Sequence, residues 1–152
     1  MRKVILCCMV CVLSFGYAGD SKKLSFGLSS WGLEAGYKYD KDISLYLQML
    51  PDDSFTIIHI KGAKTIQEKD LWKTYWTGSV GLWNYRDILS NDTSFGFNLG
   101  AGFEYDLRLF KNYSELVQNA ELPPIYQYLE AGLAYHEYSS TLLLDVGIRI
   151  SF

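Results

Sequence analysis

Apolar and polar residues alternate along much of the chain with a period of two, which is the spacing of a β-strand that has one apolar face. From Phe95 to Leu109 every odd-numbered residue is apolar, and from Thr141 to Phe152 every even-numbered residue is apolar. An α-helix repeats roughly every 3.6 residues and would mix the charged and apolar residues of these segments on the same sides. Both segments are therefore predicted to be strands.

Weaker copies of this alternation extend the prediction to about eight strands, separated by polar or turn-forming residues. The predicted strands are residues 23–29, 31–39, 43–50, 54–61, 72–85, 94–109, 125–136 and 141–152. The apolar positions change from even to odd between Leu28 and Trp31. A regular strand cannot exchange its two faces in this way, so a turn or bulge is expected at Ser29–Ser30.

The first residues have the features of an export signal. The basic pair Arg2–Lys3 precedes an apolar run, Val4–Phe15, and the small residue Ala18 follows it. A transmembrane helix needs roughly 20 apolar residues, and this run is shorter. We therefore expect residues 1–18 to be a cleaved signal peptide, which leaves a single domain of residues 19–152. Cleavage would also remove all 3 cysteines of the chain, so no disulfide is expected in the mature protein.

The composition supports β structure and narrows the function. Of the 152 residues, 49% are apolar, 16% aromatic and 20% charged, with 13 glycines and 3 prolines. Aromatic residues are favoured in strands, and glycine allows bulges and close approaches between strands. The net charge of -3 provides no basic surface for nucleic acid, so no nucleic-acid partner is expected. The sequence contains no phosphate loop, nucleotide motif or metal-ligand cluster, so no cofactor and no metal are expected either.

Alternation alone fits two kinds of protein. A soluble barrel or sandwich packs its apolar face inside, whereas a membrane barrel turns this face to lipid and its polar face to the lumen. The predicted polar faces favour the membrane barrel, because they carry few lysines and many glycines, which a narrow lumen needs. These glycines are Gly96, Gly100, Gly102, Gly132 and Gly147. The charged residues of the polar faces, mixed in sign and able to pair inside a lumen, are Glu34, Lys38, Glu104, Asp106, Arg108, Glu130, Asp145 and Arg149.

The C-terminal residues resemble the signature of a known family. The segment Val146–Phe152 ends in phenylalanine behind alternating apolar residues, and it is similar to the C-terminal insertion signal of Gram-negative outer-membrane β-barrels. The positions of this signal are Leu144, Val146, Ile148, Ile150 and Phe152. The resemblance implies an all-β, up-and-down antiparallel transmembrane β-barrel, porin-like in architecture, in the outer membrane with both chain ends in the periplasm. It also implies contact with outer-membrane lipid and with the outer-membrane assembly machinery, and we expect a monomer.

The predicted connections depart from the pattern of that family. Such barrels have short periplasmic turns and longer outer loops. Here the long connections, residues 62–71 and 110–124, fall on the side of the chain ends. The second connection contains Lys111–Leu122, which is predicted to form a short helix capped by Ser114 and ended by Pro123–Pro124.

The chain offers few residues for catalysis. His136 and Ser139 stand close together at the end of a predicted strand, with Glu137 between them. A serine becomes nucleophilic beside a base that a carboxylate orients, which makes His136 and Ser139 the two catalytic candidates. Their spacing matches no family pattern, so the favoured interpretation is a histidine beside a polar turn, and no catalytic residue is assigned.

The predicted lumen charges are interpreted as filling of the interior. A tight turn near residues 138–139 would place Glu130 opposite about residue 147, within diagonal reach of Asp145 and Arg149. Because eight strands enclose only enough space for side chains, a structural network is favoured over an ion path. Aromatic residues near strand ends are expected to form girdles at the membrane interfaces. They are Trp31, Tyr39, Trp72, Tyr75, Trp76, Trp83, Tyr85, Tyr126 and Tyr128.

The leading functional hypothesis is a non-enzymatic integral outer-membrane β-barrel with a structural, surface-interaction or protective role. Two alternatives are a lipid A-modifying outer-membrane enzyme and a soluble secreted β-barrel that binds a small apolar ligand. The direction of four side chains separates the membrane barrels from the soluble one. In a soluble barrel, Phe97, Phe103, Leu144 and Ile148 would point into a packed core.

Overall fold

The structure, a computed structural model, describes residues 24–51, 55–86, 91–110, 123–137 and 139–152. These residues form a closed barrel of eight antiparallel strands, in which each strand pairs with its neighbours in the sequence. The strands are β1 (Leu24–Ser29), β2 (Gly32–Lys38), β3 (Ile43–Pro51), β4 (Phe55–Lys69), β5 (Trp72–Arg86), β6 (Asn91–Asp106), β7 (Ile125–His136) and β8 (Ser139–Ser151). The alternation thus predicted the all-β strands correctly, and the up-and-down antiparallel barrel that the family resemblance implied is confirmed.

The barrel closes between its first and last strands. β1 pairs with β8 on one side and with β2 on the other, and the N–H of Phe152 donates to the carbonyl of Leu24 at 2.8 Å. The first and last strand residues therefore lie at the same end of the barrel. We call this end, marked by Leu24 and Ser151, the terminal mouth. The opposite end, the turn end, carries the connections at residues 30–31, 52–54, 87–90 and 137–138.

A tight turn after Leu28 and Ser29 explains why the apolar positions change from even to odd. Ser30 and Trp31 form the turn, one residue later than predicted, and the flanking residue Gly32 has a φ of 106°. Residues with side chains rarely adopt this conformation. A Cβ at Gly32 would also lie 2.2 Å from the carbonyl oxygen of Met49. The turn therefore requires glycine at this position.

β4 (Phe55–Lys69) is far longer than the predicted strand of residues 54–61, and it removes most of the expected connection at 62–71. β5 pairs with β4 along its length, and a bulge at Ile66 accommodates one extra residue. A turn at Asp70–Leu71 joins the two strands. Backbone hydrogen bonds to β5 support residues whose own pattern is irregular, so pairing overrides the local sequence signal.

β6 ends earlier than predicted. It stops at Asp106, and a 3-10 helix follows at Leu107–Leu109. The Asp106 side chain accepts a hydrogen bond from the N–H of Arg108 at 2.8 Å, which stabilises the start of this helix. The helix predicted within Lys111–Leu122 lies outside the described residues. In the part of the chain that the structure describes, no helix is long and apolar enough to cross a membrane.

The apolar faces of the strands point away from the barrel interior. Phe97, Phe103, Leu144 and Ile148 are 44%, 41%, 56% and 49% exposed, so none of the four lies in an internal core. Large exposed apolar residues occur on all eight strands, for example Leu28, Leu33, Leu45, Ile60, Val80, Leu99, Leu133 and Leu142. A soluble barrel would bury this face. The arrangement is that of a membrane-type barrel and contradicts the soluble, ligand-carrying alternative.

Candidate functional site

The polar faces of the strands meet inside the barrel and form a buried network of charges. Its members, each at most 4% exposed, are Glu34, Lys61, Glu104, Glu130, Asp145 and Arg149. We call this set the lumen network. Its residues come from β2, β4, β6, β7 and β8, so the contacts cross the lumen as well as following the sheet.

Arg149 is the centre of the lumen network on the side of the terminal mouth. Its Nε donates to Glu34 Oε1 at 2.6 Å, and its Nη1 donates to Glu104. The guanidinium lies between two aromatic rings, with its Cζ 4.2 Å from the centroids of Tyr46 and Tyr128. Two carboxylates and two ring faces thus compensate a charge that would be costly to bury alone.

Lys61 is the second centre of the network. Its Nζ lies 2.9 Å from Glu34 Oε2 and 3.0 Å from both carboxylate oxygens of Glu130. The hydroxyl of Tyr75 donates to the same Glu130 carboxylate at 3.0 Å. Because Glu34 contacts both Lys61 and Arg149, the network is continuous across the lumen.

Asp145 is held mainly by neutral donors, nearer the turn end. It accepts hydrogen bonds from the hydroxyl of Ser30 at 2.8 Å, the amide of Gln48 at 2.9 Å and the hydroxyl of Tyr128 at 3.3 Å. The ammonium of Lys61 is farther away, at 3.9 Å. Asp145 therefore ties β8 to the first turn, to β3 and to β7.

Five of the eight predicted lumen charges belong to the lumen network, and three do not. Asp106 and Arg108 form a separate pair at the terminal mouth, where Arg108 Nε donates to Asp106 Oδ2 at 2.8 Å. Arg108 is outside the network because β6 has already ended before it. Lys38 is the last residue of β2 and is exposed at the rim of the mouth. The polar alternation placed these residues on a face but could not show where each strand ends.

The partner predicted for Glu130 is only partly right. Glu130 lies directly opposite Asp145, and not opposite residue 147, because the last hairpin turns earlier than expected. Its closest cation is Lys61, whereas Arg149 Nη2 is 3.8 Å from Glu130 Oε1. The register between adjacent strands therefore identified neighbours, but the closest ion pairs of Glu130 and of Arg149 join strands that are not adjacent.

Lys61 was not among the predicted lumen charges. Ile58 and Ile60 are exposed on the barrel exterior, while His59 and Lys61 are buried inside. This short alternation is the signal that could have identified Lys61. It breaks down at Gly62, where the exterior face loses its apolar side chain.

Each of three lumen tyrosines lies across from a glycine on a neighbouring strand. The pairs are Tyr46 with Gly36, Tyr75 with Gly102 and Tyr128 with Gly147. A Cβ on Gly102 would lie 2.5 Å from the ring of Tyr75, and a Cβ on Gly36 would lie 2.5 Å from the ring of Tyr46. The glycines of the polar faces therefore leave room for the rings that fill the lumen.

Gly147→Ala should destabilise the barrel by about 1–3 kcal/mol, the usual cost of overpacking. The added Cβ would lie 2.6 Å from the carbonyl oxygen of Leu28 and 2.6 Å from the ring of Tyr128, so one or both must shift. Gly78→Ala is the matched control, since a Cβ there would make an ordinary contact of 3.5 Å with Leu99 Cδ2. Urea unfolding in lipid vesicles measures both variants, and equal midpoints would contradict the close packing at Gly147.

An apolar cluster fills the lumen towards the turn end. Its members, which we call the apolar seal, are Ile57, Trp83, Ala134, Trp31, Leu50 and Leu143. The indole N–H of Trp83 donates to Nε2 of His59, which satisfies the polar edge of the ring inside the barrel. The seal therefore closes the lumen with apolar side chains at the turn end, and the lumen network lies between the seal and the terminal mouth.

The predicted interfacial girdle is wrong for three fully buried aromatic residues, and of two further members Trp31 packs in the seal and Tyr126 lines the cavity at the terminal mouth. Tyr75, Trp83 and Tyr128 are buried inside the barrel, because their positions in the alternation place them on the lumen face. Trp76 and Tyr39 are exposed, as residues at a membrane interface should be. Position near a strand end thus did not distinguish a lumen aromatic from an interfacial one.

At the terminal mouth the lumen opens into a cavity of about 160 Å³, which we call the vestibule. Arg149, Glu104 and Tyr46 are among its lining residues, and Lys38 lies at its rim. Lys73 also lines it and pairs with Glu104 at 2.7 Å. The vestibule therefore has a polar lining in which Glu104 already pairs with both Lys73 and Arg149.

The backbone places the two catalytic candidates opposite each other. His136 and Ser139 pair across the β7–β8 hairpin, and their side chains lie outside the described part of the structure. Glu137 is exposed in the turn between them. Among the residues that the structure describes, no group of His, Cys, Asp and Glu could hold a metal ion.

Comparison with known proteins supports the fold. No family model matches the sequence, and no curated protein matches it. Among solved structures, the chain is similar to the N-terminal β-barrel domain of Pseudomonas aeruginosa OprF, with a TM-score of 0.55 and 14% sequence identity. The match covers 85% of this chain and 93% of that one. At this identity the likeness shows the eight-stranded barrel fold alone.

Proposed function

We propose that this protein is an integral outer-membrane β-barrel with a non-enzymatic, structural, surface-interaction or protective role. It spans the membrane as a monomer, contacts outer-membrane lipid and is inserted by the assembly machinery of that membrane. Residues 1–18, which lie outside the described residues, act as the cleaved export signal in this proposal.

The apolar exterior carries the proposal. Large apolar residues of all eight strands are exposed around the barrel. Soluble monomers rarely expose a contiguous apolar patch beyond several hundred Å², and burying one large apolar side chain contributes about 1.5–3 kcal/mol. A closed barrel also pairs the backbone groups of its strands internally, as a lipid environment requires. The exterior therefore favours lipid as its surroundings.

The filled interior supports a structural role over transport or catalysis. The lumen network and the apolar seal occupy the barrel between the vestibule and the turn end. Eight strands enclose only enough space for side chains, and here large rings and paired charges fill it. Among the described residues, an interior of this kind stabilises the barrel and occupies the space that a transport route would need.

Membrane fractionation and gel migration test the proposal. In a Gram-negative host, the protein should float with outer-membrane vesicles and migrate differently on a denaturing gel before and after heating. N-terminal sequencing of the mature protein should begin at Gly19. Recovery as a soluble periplasmic protein would refute the membrane location, whereas a floating protein that retains residues 1–18 would refute the signal alone.

A lipid A-modifying enzyme is the second candidate, and the pairing of His136 with Ser139 across the last hairpin favours it. Mass spectra of lipid A from cells with and without the protein distinguish this enzyme from a structural barrel. A mass change that Ser139→Ala abolishes would establish the enzyme. Unchanged lipid A supports the structural role.

A further inference from the structure

Two barriers of different chemistry divide the lumen. Along β4, Ile57 of the apolar seal precedes Lys61 of the lumen network on the inward face. Along β5, the inward-facing residues from the turn end are Trp83 of the seal, then Gly81, Ser79 and Thr77, and then Tyr75, which contacts the network. Ser79 therefore lies in a buried polar layer between the seal and the network.

This polar layer is paired in part, since the buried Oδ1 of Asn98 has no hydrogen-bond partner among the described residues. The amide of Asn98 donates to the hydroxyl of Ser79 at 2.8 Å, and both side chains are buried. On the side of the turn end, the ring of Trp83 is held by its hydrogen bond to His59. On the side of the terminal mouth, Arg149 and its carboxylate partners separate the layer from the vestibule.

We propose that the lumen is open at one end only. Water enters from the terminal mouth as far as Arg149, and the apolar seal excludes small solutes at the turn end. This inference rests on the proposed function, because it requires the barrel to lie in a membrane. With both chain ends in the periplasm, the vestibule opens to the periplasm and the seal faces the cell exterior.

The chemistry of the seal explains why it is the stronger barrier. A constriction lined by apolar side chains excludes water and ions by dewetting, since water inside it finds no hydrogen-bond partners. The lumen network instead consists of charged groups that attract water and can exchange partners. Trp83 is the largest fully buried member of the seal, and removing its ring should therefore open the turn end.

Sided thiol labelling in lipid vesicles tests the proposal. All 3 cysteines lie within the predicted signal, so Ser79→Cys supplies the single thiol of the mature chain. The probe is a small charged methanethiosulfonate that does not cross lipid. Ser44→Cys in the vestibule and Glu137→Cys at the turn end, each made separately, report which end of the barrel faces the added probe.

The native interior should protect the thiol of Ser79→Cys. We expect it to react about 100-fold more slowly than Glu137→Cys from either side, because access requires a local opening that costs a few kcal/mol. Adding Trp83→Ala should bring the rate to within about tenfold of Glu137→Cys, for probe at the turn end only. Two results would overturn the proposal that the seal closes the turn end. One is rapid labelling of Ser79→Cys in a barrel that retains Trp83, and the other is no acceleration of labelling by Trp83→Ala in a folded barrel.

Two controls keep the outcomes separate. Trp76→Ala removes an exposed tryptophan of the same strand, and it should leave the labelling rate of Ser79→Cys unchanged. If Trp83→Ala does not show heat-modifiable migration, Ile57→Ala serves as the opening variant. A protein that does not float with membranes refutes the proposed function, whereas a floating barrel with a freely reactive Ser79→Cys refutes the seal alone.

Discussion

Arg149→Ala should lower the free energy of unfolding of the barrel by about 3–5 kcal/mol, the usual cost of removing one partner from a buried ion pair. The substitution leaves the carboxylates of Glu34 and Glu104 buried with less positive charge beside them. It also removes the guanidinium that lies between the rings of Tyr46 and Tyr128. Urea unfolding in lipid vesicles, followed by tryptophan fluorescence, measures the loss.

Lys38→Ala is the matched control for Arg149→Ala. Lys38 also carries a positive charge, but it is exposed at the rim of the terminal mouth, so its removal should change the unfolding free energy by less than about 0.5 kcal/mol. The double variant Arg149→Ala/Glu34→Gln should recover part of the loss, because it removes one of the uncompensated charges. Equal unfolding midpoints for Arg149→Ala and Lys38→Ala would show that Arg149 is solvated instead of paired.

Leu144→Arg should cost about 2–4 kcal/mol if the residue lies near the middle of the bilayer. Leu144 is exposed on the outward face of β8, so in the proposed membrane setting the new charge would point into lipid. We also expect less of the protein to reach the heat-modifiable form. The measurements are urea unfolding in lipid vesicles and the folded fraction on an unheated gel.

Ser140→Arg is the matched control for Leu144→Arg. Ser140 lies on the same strand and the same outward face, but next to the turn end. Near a membrane interface an arginine costs only about 0–1 kcal/mol. If both variants unfold at the same urea concentration, Leu144 does not face the hydrocarbon layer, and the proposed membrane location is wrong.

The faces of the barrel were predictable from the sequence because a strand turns alternate side chains to opposite sides. Leu99 and Leu144 are exposed on the exterior, and Glu104 and Asp145 are buried inside, as their positions in the alternation require. The direction of each side chain could therefore be predicted from the residues next to it in the sequence. The number of strands followed from the same signal, since each change from regular alternation to polar residues predicted a turn.

The length of β4 was not predictable in the same way. Residues 62–69 lack a regular apolar face, yet they form a strand because β5 supplies hydrogen-bond partners along the whole hairpin. The inward direction of Trp83 was missed for a related reason. Its place near a strand end resembles that of the exposed Trp76, and the poor alternation of this segment did not separate the two before the structure showed Trp83 in the lumen.

The sequence by itself therefore determined the strands and their two faces, because both depend on a local period of two residues. The glycines of the polar faces and the C-terminal resemblance, and not the alternation, indicated a barrel with its apolar face outward. The tertiary structure alone decided the partners inside the lumen. Arg149 meets Glu34 across 115 positions of the chain, and Lys61 meets Glu130 across 69. Such pairs depend on how far the strands are staggered when the sheet closes and on which side chains reach across the interior. Neither quantity is encoded in the alternation of adjacent residues.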